Sequence, residues 1–472
     1  MRRTALLAAT TATAVLLASI VVALALSATV PLEAQAVTKP NILFVLTDDQ
    51  YPGSVAHMGA LKGLIAAEGV TFDNTVSTYP LCCPGRATIQ RGQYAHNTKI
   101  LANSPPQGGW EKFQNLGLHR STVATWLDGA GYRTGLFGKY INNYQDMVIP
   151  PGWDRWYAWN GPKMGWDSVN DQGTQRRMTN AEADSLVARE ALSFLDAGLG
   201  GDAPVFAFAN FGAMHEPYHH PRVDADKFQG VKVPRTLAFN ERDVSDKPRR
   251  IRDLPLMGGD EIRRMDQDYR NALRSLGRVD RFVGDAVDVL RKRGELSNTY
   301  VVFYTDNGAH FGQHRLPHGK LQPYEEDINF PLIVRGPGIR RGVVEKGLVG
   351  NHDIAPTLAD IAGAAVPDFV DGRSVLPLAT GEAPSWPRTA ILSEREQNLD
   401  PPPQWAALRM EDRVYVRHEF GEKEYYDLAA DPFQLSSSPG SLTDAQRGAY
   451  ERRLDALLGC KGASCRAAED GP

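Results

Sequence analysis

NILFVLTDDQ, residues 41–50, is an unbroken apolar run that ends abruptly in two carboxylates. A half-buried strand alternates apolar and polar residues. A continuous run means burial on both faces, as in the interior of a parallel sheet. Three more runs read the same way: Arg133–Gly138 (RTGLFG), Pro204–Asn210 (PVFAFAN) and Thr299–Thr305 (TYVVFYT). Helical patterns lie between them. Ser121 is placed to cap a helix bearing Val123, Trp126 and Leu127, which stops near Gly129 and Gly131. Ala181–Leu195 sets Val187, Ala191, Phe194 and Leu195 on one face. From Asp260 to Arg293, Met265, Tyr269, Ala272, Leu276, Val279, Val283 and Leu290 recur at helical spacing. Strand–helix alternation of this kind predicts an α/β fold, a large sheet covered by helices on both faces.

Residues 214–258 are rich in His, Pro and charge and read as a long surface excursion. A Pro-rich stretch around Pro377–Pro387 marks a boundary. Beyond it Trp405–Arg409, Arg413–His418 and Glu424–Leu428 read as short strands and Thr443–Leu458 as a helix: a small antiparallel sheet plus one helix. The expected organisation is an export signal over residues 1–36, the main α/β domain over 37–385 and a C-terminal subdomain over 386–472.

With 472 residues the chain is long enough for a sizeable core. Its 52 basic and 56 acidic residues leave a net charge of −4, which argues against nucleic acid as a partner. Four cysteines are too few for a disulfide scaffold. Arg2 and Arg3, an uncharged stretch over residues 5–30 and Ala34-Gln35-Ala36 together read as an export signal, with twin-arginine export as one route. The same stretch is long enough for a retained anchor, so membrane contact is expected only if it is kept. The folded part is then secreted or held at the cell envelope. There Cys460 and Cys465 would pair across their C-x4-C spacing rather than remain surface thiols.

A polar residue follows each strand at once or shortly after: Asp48 and Asp49, then Lys139, His215, and Asp306 with Asn307. In open α/β sheets ligands bind beyond the carboxyl ends of the strands. An isolated Asp pair is commonly a loop or capping feature, but two such pairs in one sheet point to a site. Their all-oxygen donor set suits Ca²⁺ or Mg²⁺. In LCCPGRATIQRG, residues 81–92, Pro84 favours a first helical turn and so sets Cys82 near a helix N-terminus, where backbone N–H groups favour an anion. Cys83 reads as a small buried hydrophobe. Arg86, Lys139 and Lys320 could surround a multiply charged oxyanion such as sulfate or phosphate, although singly each would pass for a surface charge.

These residues resemble the type I, formylglycine-dependent sulfatases of the alkaline phosphatase superfamily. The family's C-x-P-S-R signature stands here as Cys82-Cys83-Pro84-Gly85-Arg86, with Pro and Arg at +2 and +4 from Cys82. The resemblance runs from Asn41 to about Leu435 and includes Gly138-Lys139-Tyr140, the His215-Glu216-Pro217 turn, YTDNGAHFGQH (304–314), HDIAPTLADIAG (352–363) and EYYDLAADPFQL (424–435). GKYINNY (138–144) and PYEEDINFPLIVRGPGI (323–339) are most similar to the N-acetylglucosamine-6-sulfatase and heparan endosulfatase branch.

The resemblance implies an alkaline phosphatase-like fold and an exported sulfuric ester hydrolase acting on a sulfated sugar, such as N-acetylglucosamine-6-sulfate or a glycosaminoglycan. It implies that a formylglycine-generating enzyme, acting on the unfolded chain, oxidises Cys82 to formylglycine, whose hydrate attacks sulfur. Asp48, Asp49, Asp306, Asn307 and the modified Cys82 would hold Ca²⁺. Arg86 would orient the hydrate, Lys139, His215 and Lys320 would bind sulfate and assist the leaving alcohol, and His310 would add a contact. Two positions depart from the family pattern. Gly85 replaces the signature serine, and Ile141 stands where many sulfatases carry a histidine; the N-acetylglucosamine-6-sulfatase branch shows a similar GKYLN pattern without it. A phosphonate or phosphate diester hydrolase of the same superfamily is the alternative activity. A non-catalytic carbohydrate-binding relative is the third reading, and the retained metal and sulfate residues argue against it.

Overall fold

The computed structural model describes residues 39–160, 167–383, 385–395 and 405–471. The export signal expected over residues 1–36 lies outside them. Among the described residues three sheets, of ten, four and two strands, organise the chain, all within one compact unit spanning Lys39–Pro472. In chain order the strands are β1 (Asn41–Thr47), β2 (Val70–Phe72), β3 (Thr75–Val76), β4 (Arg133–Gly138), β5 (Arg155–Trp159), β6 (Ser168–Asp171), β7 (Thr174–Arg177), β8 (Val205–Asn210), β9 (Thr299–Thr305), β10 (Leu332–Arg335), β11 (Val343–Glu345), β12 (Val349–Gly350), β13 (Ala390–Arg395), β14 (Trp405–Met410), β15 (Arg413–His418) and β16 (Lys423–Asp427).

The large sheet runs β11-β2-β10-β9-β1-β8-β4-β5-β6-β7. Its centre, β9-β1-β8-β4-β5, is parallel, and antiparallel pairs flank it at β10 and β6. The four apolar runs of the sequence are the four adjacent strands β9, β1, β8 and β4. Ile42 to Leu46 are wholly buried, and Phe44 stacks on Phe208 with centroids 4.5 Å apart. The helices Ala183–Gly198 and Gly259–Lys292 bury the faces the periodicity picked out, including Val187, Phe194, Met265, Tyr269, Val279 and Leu290. The helix Val123–Gly129 begins one residue later than the sequence suggests. Thr122 precedes it, with its N–H donating to Thr125 Oγ1 at 3.0 Å, while Ser121 Oγ accepts from Trp126 Nε1. Residues 214–258 are mostly irregular backbone and turns, with short helical turns at Arg222–Asp224 and Arg249–Arg252.

The small sheet is antiparallel, in the order β13-β14-β15-β16. It contains a strand the sequence reading lacks, β13, and one more helix than expected, Ala463–Asp470, beside Asp444–Leu458. A disulfide joins Cys460, just after Asp444–Leu458, to Cys465 within Ala463–Asp470. Among the described residues no helix is long and apolar enough to cross a membrane.

Candidate active site

Strand register builds the site. Thr47 pairs with Thr305, Leu46 with Asn210, and Gly138 with Asn210. The chain therefore leaves β1, β9, β8 and β4 at one level, and Asp48, Asp306 and Lys139 emerge side by side. Gly138 has φ +99°, and a Cβ there would lie 1.9 Å from Asn210 O, so only glycine permits the turn that aims Lys139.

The helix Cys82–Arg91 brings the reactive segment to these strand ends. All ten of its residues are buried, and Cys82 is its first. Pro84 falls in the first turn, where an N–H has no intrahelical acceptor to lose. Cys82 Sγ lies 2.8 Å from Lys320 Nζ, 3.4 Å from Asp48 Oδ1 and 3.7 Å from Asp49 Oδ1. Cys83 faces away into the core, and its sulfur accepts from Gly109 N–H at 3.3 Å.

Arg86 is almost fully buried and pinned from several sides. Its Nε donates to Asp306 Oδ2 at 2.8 Å, and Nη1 donates to Lys139 O at 2.9 Å and Asn210 Oδ1 at 3.2 Å. Lys139 Nζ pairs with Asp48 Oδ2, Lys320 Nζ with Asp49 Oδ1, and His215 Nε2 lies 3.5 Å from Asp49 Oδ2. Burial alone would raise Asp48, but Lys139, His215, Arg86 and Lys320 together outweigh it and hold that carboxyl far below its ordinary range. Burial, with Asp48 beside it, raises Asp306 to about 7. Burial and then Asp48 and Asp49 push the Cys82 thiol far upward.

A hard cation fits this donor set. Asn307 Nδ2 donates to Asp49 Oδ1 at 2.7 Å and to Gly308 O at 2.8 Å, while its Oδ1 is buried without a hydrogen-bond partner. A buried carbonyl oxygen of this kind needs a ligand. Donor atoms of Asp48, Asp49, Cys82 and His215 all lie within 4.8 Å of one another. Asp306 accepts from Arg86 Nε through Oδ2 at 2.8 Å and from Asp49 N–H through Oδ1 at 3.2 Å.

His310 is buried, and its Nδ1 lies 2.8 Å from Asp327 Oδ1. Its backbone exchanges hydrogen bonds with Gly319, which fixes the loop carrying Lys320. Tyr218 turns its hydroxyl to His318 Nδ1 at 3.0 Å and to Glu216. His219 and His220 are half-buried beside it. Asn210 and Asp327 escaped the sequence reading. Asn210 carried the same signal as the other site residues, a polar side chain ending an apolar strand, whereas nothing in the local pattern ties Asp327 to His310.

Gly85 has a structural cause. A Cβ there would lie 2.4 Å from the backbone oxygen of Asp306. Gly85→Ser is thus expected to displace the Asp306 backbone and to cost about 1–3 kcal/mol, typical of overpacking. Thermal unfolding with parallel sulfate-release assays checks this, and an unchanged melting temperature would contradict it.

The family model described as Sulfatase matches residues 40–364, and the one described as N-sulphoglucosamine sulphohydrolase, C-terminal, matches residues 312–445. The N-acetylglucosamine-6-sulfatase of Capra hircus is 31% identical over 480 residues, covering 91% of this chain and 85% of that protein. The extracellular sulfatase SULF-1 homolog of Drosophila melanogaster is 34% identical over 353 residues, 72% of this chain but only 31% of its own length. The chain thus spans about a third of that relative. A protein solved in complex with its substrate D-glucosamine-2-N,6-O-disulfate shares the fold, with a TM-score of 0.75 at 23% identity over 92% of this chain and 99% of that one. The chain belongs to the sulfatase family of the alkaline phosphatase superfamily and is a sulfuric ester hydrolase.

Proposed function

We propose that the chain is an exported hydrolase of 6-O-sulfate esters on amino sugars, working through formylglycine at position 82 and a bound Ca²⁺ or Mg²⁺. The observation that carries the reading is the convergence on Cys82 of Lys320 Nζ at 2.8 Å and Asp48 Oδ1 at 3.4 Å, at the first turn of a buried helix. The saccharide assignment is supported by the goat relative's name, N-acetylglucosamine-6-sulfatase, and by the disulfated glucosamine in the similar structure. Export is supported by the N-terminal sequence, by the Cys460–Cys465 disulfide and by the extracellular sulfatase among the relatives. Residues 37–385 carry the site in this reading, and residues 386–472 form the C-terminal subdomain.

Oxidised by a formylglycine-generating enzyme, residue 82 would supply a hydrated aldehyde oxygen as nucleophile, and a divalent ion bound beside it would supply charge to polarise the sulfate. Asp48, Asp49, Asp306, Asn307 and the modified residue 82 would hold the ion, and Asp306 Oδ1 also accepts the Asp49 N–H. Arg86, clamped by Asp306 and Asn210, cannot swing and so orients residue 82. Lys139 and Lys320 neutralise the sulfate oxygens. His215, beside Asp49, is placed to give a proton to the leaving alkoxide, a contribution typically worth about 10²–10⁴-fold. His310, held by Asp327, steadies the Lys320 loop.

A panel of N-acetylglucosamine-6-sulfate, glycosaminoglycan fragments, an aryl sulfate and an aryl phosphodiester tests the substrate. Sulfate release from the 6-O-sulfated amino sugar is expected. Turnover confined to the aryl sulfate would reject the sugar assignment, and faster phosphodiester cleavage would favour a phosphonate or phosphate diester hydrolase. Elemental analysis of the purified protein is expected to find stoichiometric calcium or magnesium. Stoichiometric zinc would refute the oxygen-ligand assignment.

A further inference from the structure

Asp184, in the first turn of the helix Ala183–Gly198, is buried and takes no part in the site described above. Among the described residues no cation forms an ion pair with it. Its Oδ1 accepts from Gly212 N–H at 2.8 Å, the Ala213 N–H acts on the same carboxyl, and Arg278 contributes more weakly. Burial still raises the group to about 7. An apolar residue would occupy that place in the helix without this desolvation cost, but it would leave the two N–H groups without an acceptor.

Those N–H groups belong to the turn that carries His215. β8 ends at Asn210, and Phe211 N–H donates to Leu46 O at 2.8 Å. The chain then binds the backbone of Asp48 twice: Asp48 N–H donates to Ala213 O at 2.8 Å, and Met214 N–H donates to Asp48 O at 2.7 Å. His215 N–H closes the turn on Gly212 O at 2.8 Å. In the side chain, His215 Nδ1 lies 2.6 Å from Glu216 O, a carbonyl that can only accept, so Nδ1 donates there and Nε2 is left facing Asp49. The Gly212 and Ala213 carbonyls are thus bound to His215 and Asp48, while no described backbone oxygen accepts from their N–H groups. Asp184 is the acceptor that completes the turn.

We propose that Asp184 is a positioning residue for the leaving-group proton: through the Gly212–Ala213 turn it fixes where His215 Nε2 stands relative to the sulfate ester. This rests on the reading of His215 as the proton donor and adds the group that holds it in place. Proton transfer needs the donor within hydrogen-bond reach, so a drift of the turn weakens that step. Residue 82, Lys139 and Lys320 lie outside the turn and keep their places.

Two aryl sulfates that differ in the acidity of the leaving phenol, 4-nitrophenyl sulfate and phenyl sulfate, test the assignment, because the poorer leaving group depends more on the proton. His215→Ala should slow phenyl sulfate about tenfold or more beyond its effect on the nitrophenyl ester. Asp184→Ala should show the same selective loss, smaller in size, and Asp184→Asn, which keeps one acceptor oxygen, should recover part of it. Added to His215→Ala, Asp184→Ala should cost less than about twofold more, since the two residues act as one unit. Elemental analysis should find the metal content of the wild type in every variant. Equal losses on the two esters mark a merely structural residue, a full further loss in the double variant marks an independent one, and depletion of the metal places the effect on Asp48; each would overturn the proposal. If Asp184→Ala does not fold, Asp184→Asn is compared with wild type instead, and an unchanged ratio between the esters overturns it. A selective loss in His215→Ala that the Asp184 variants lack rejects the proposal alone. If His215→Ala itself slows both esters alike, the underlying reading of His215 fails, and the proposal with it.

Discussion

Cys82→Ala is expected to lose sulfatase turnover by roughly 10⁴-fold or more, the scale seen when a covalent nucleophile is removed. The side chain is wholly buried at the strand ends, with Lys320 Nζ at 2.8 Å and Asp48 Oδ1 at 3.4 Å. No other described nucleophile shares that position: Cys83, the neighbouring thiol, points into the core. The loss should fall on kcat, since Lys139, Lys320 and His215 remain to bind substrate. Fold and melting temperature should change little. Cys83→Ala makes the contrast, for it removes a fully buried sulfur that accepts from Gly109 N–H and should cost about 1–2 kcal/mol of stability while turnover persists. Steady-state kinetics and thermal unfolding of both variants read the two effects, and active Cys82→Ala would contradict the assignment of the nucleophile.

The second large effect concerns stability. Arg388 is buried between Asp353, which leads into the helix Ile354–Ala362, and Glu469 in the last helix, Ala463–Asp470. Its Nη2 donates to Asp353 Oδ1 at 2.8 Å and its Nε to Glu469 Oε2 at 2.9 Å. Glu469 also accepts from Tyr94 at 2.6 Å and lies 2.8 Å from His352 Nε2. Arg388→Met would leave two buried carboxylates without their shared cation and should cost about 3–5 kcal/mol. Denaturant unfolding measures it, and a loss below about 1 kcal/mol would contradict the account.

The same cluster sets an acid limit. Burial alone would raise both carboxyls, but Arg388 and then His352 reverse that and hold Asp353 and Glu469 below their ordinary values of 3.8 and 4.5. A carboxyl depressed in the folded state binds protons more weakly there than in the unfolded chain. Its contribution is present above the ordinary carboxylate range and is lost as pH falls through it. Unfolding midpoints should therefore drop on acidification below about pH 5, and drop less in Arg388→Met.

The four central strands were legible because burial on both faces writes a continuous apolar run, and their carboxyl ends pointed to Asp48, Asp49, Lys139, Asp306 and Asn307. β2, β10 and β11 were not legible: three or four residues carry no measurable period, and their pairing is settled by strands far away in sequence. β13 (AILSER) was missed because its polar residues have buried partners elsewhere, Ser393 on Ser77 O and Glu394 on His96. The need for Gly85 was invisible for a related reason. Only the approach of the Asp306 backbone, more than two hundred residues away, denies it a side chain.

The central claim is tested most directly by the peptide mass of the segment Leu81–Arg91 from fully active enzyme. The account predicts one cysteine converted, its CH₂SH replaced by an aldehyde CHO, at position 82, with Cys83 left as a thiol. An intact Cys82 in fully active enzyme, or conversion at Cys83 instead, would contradict it.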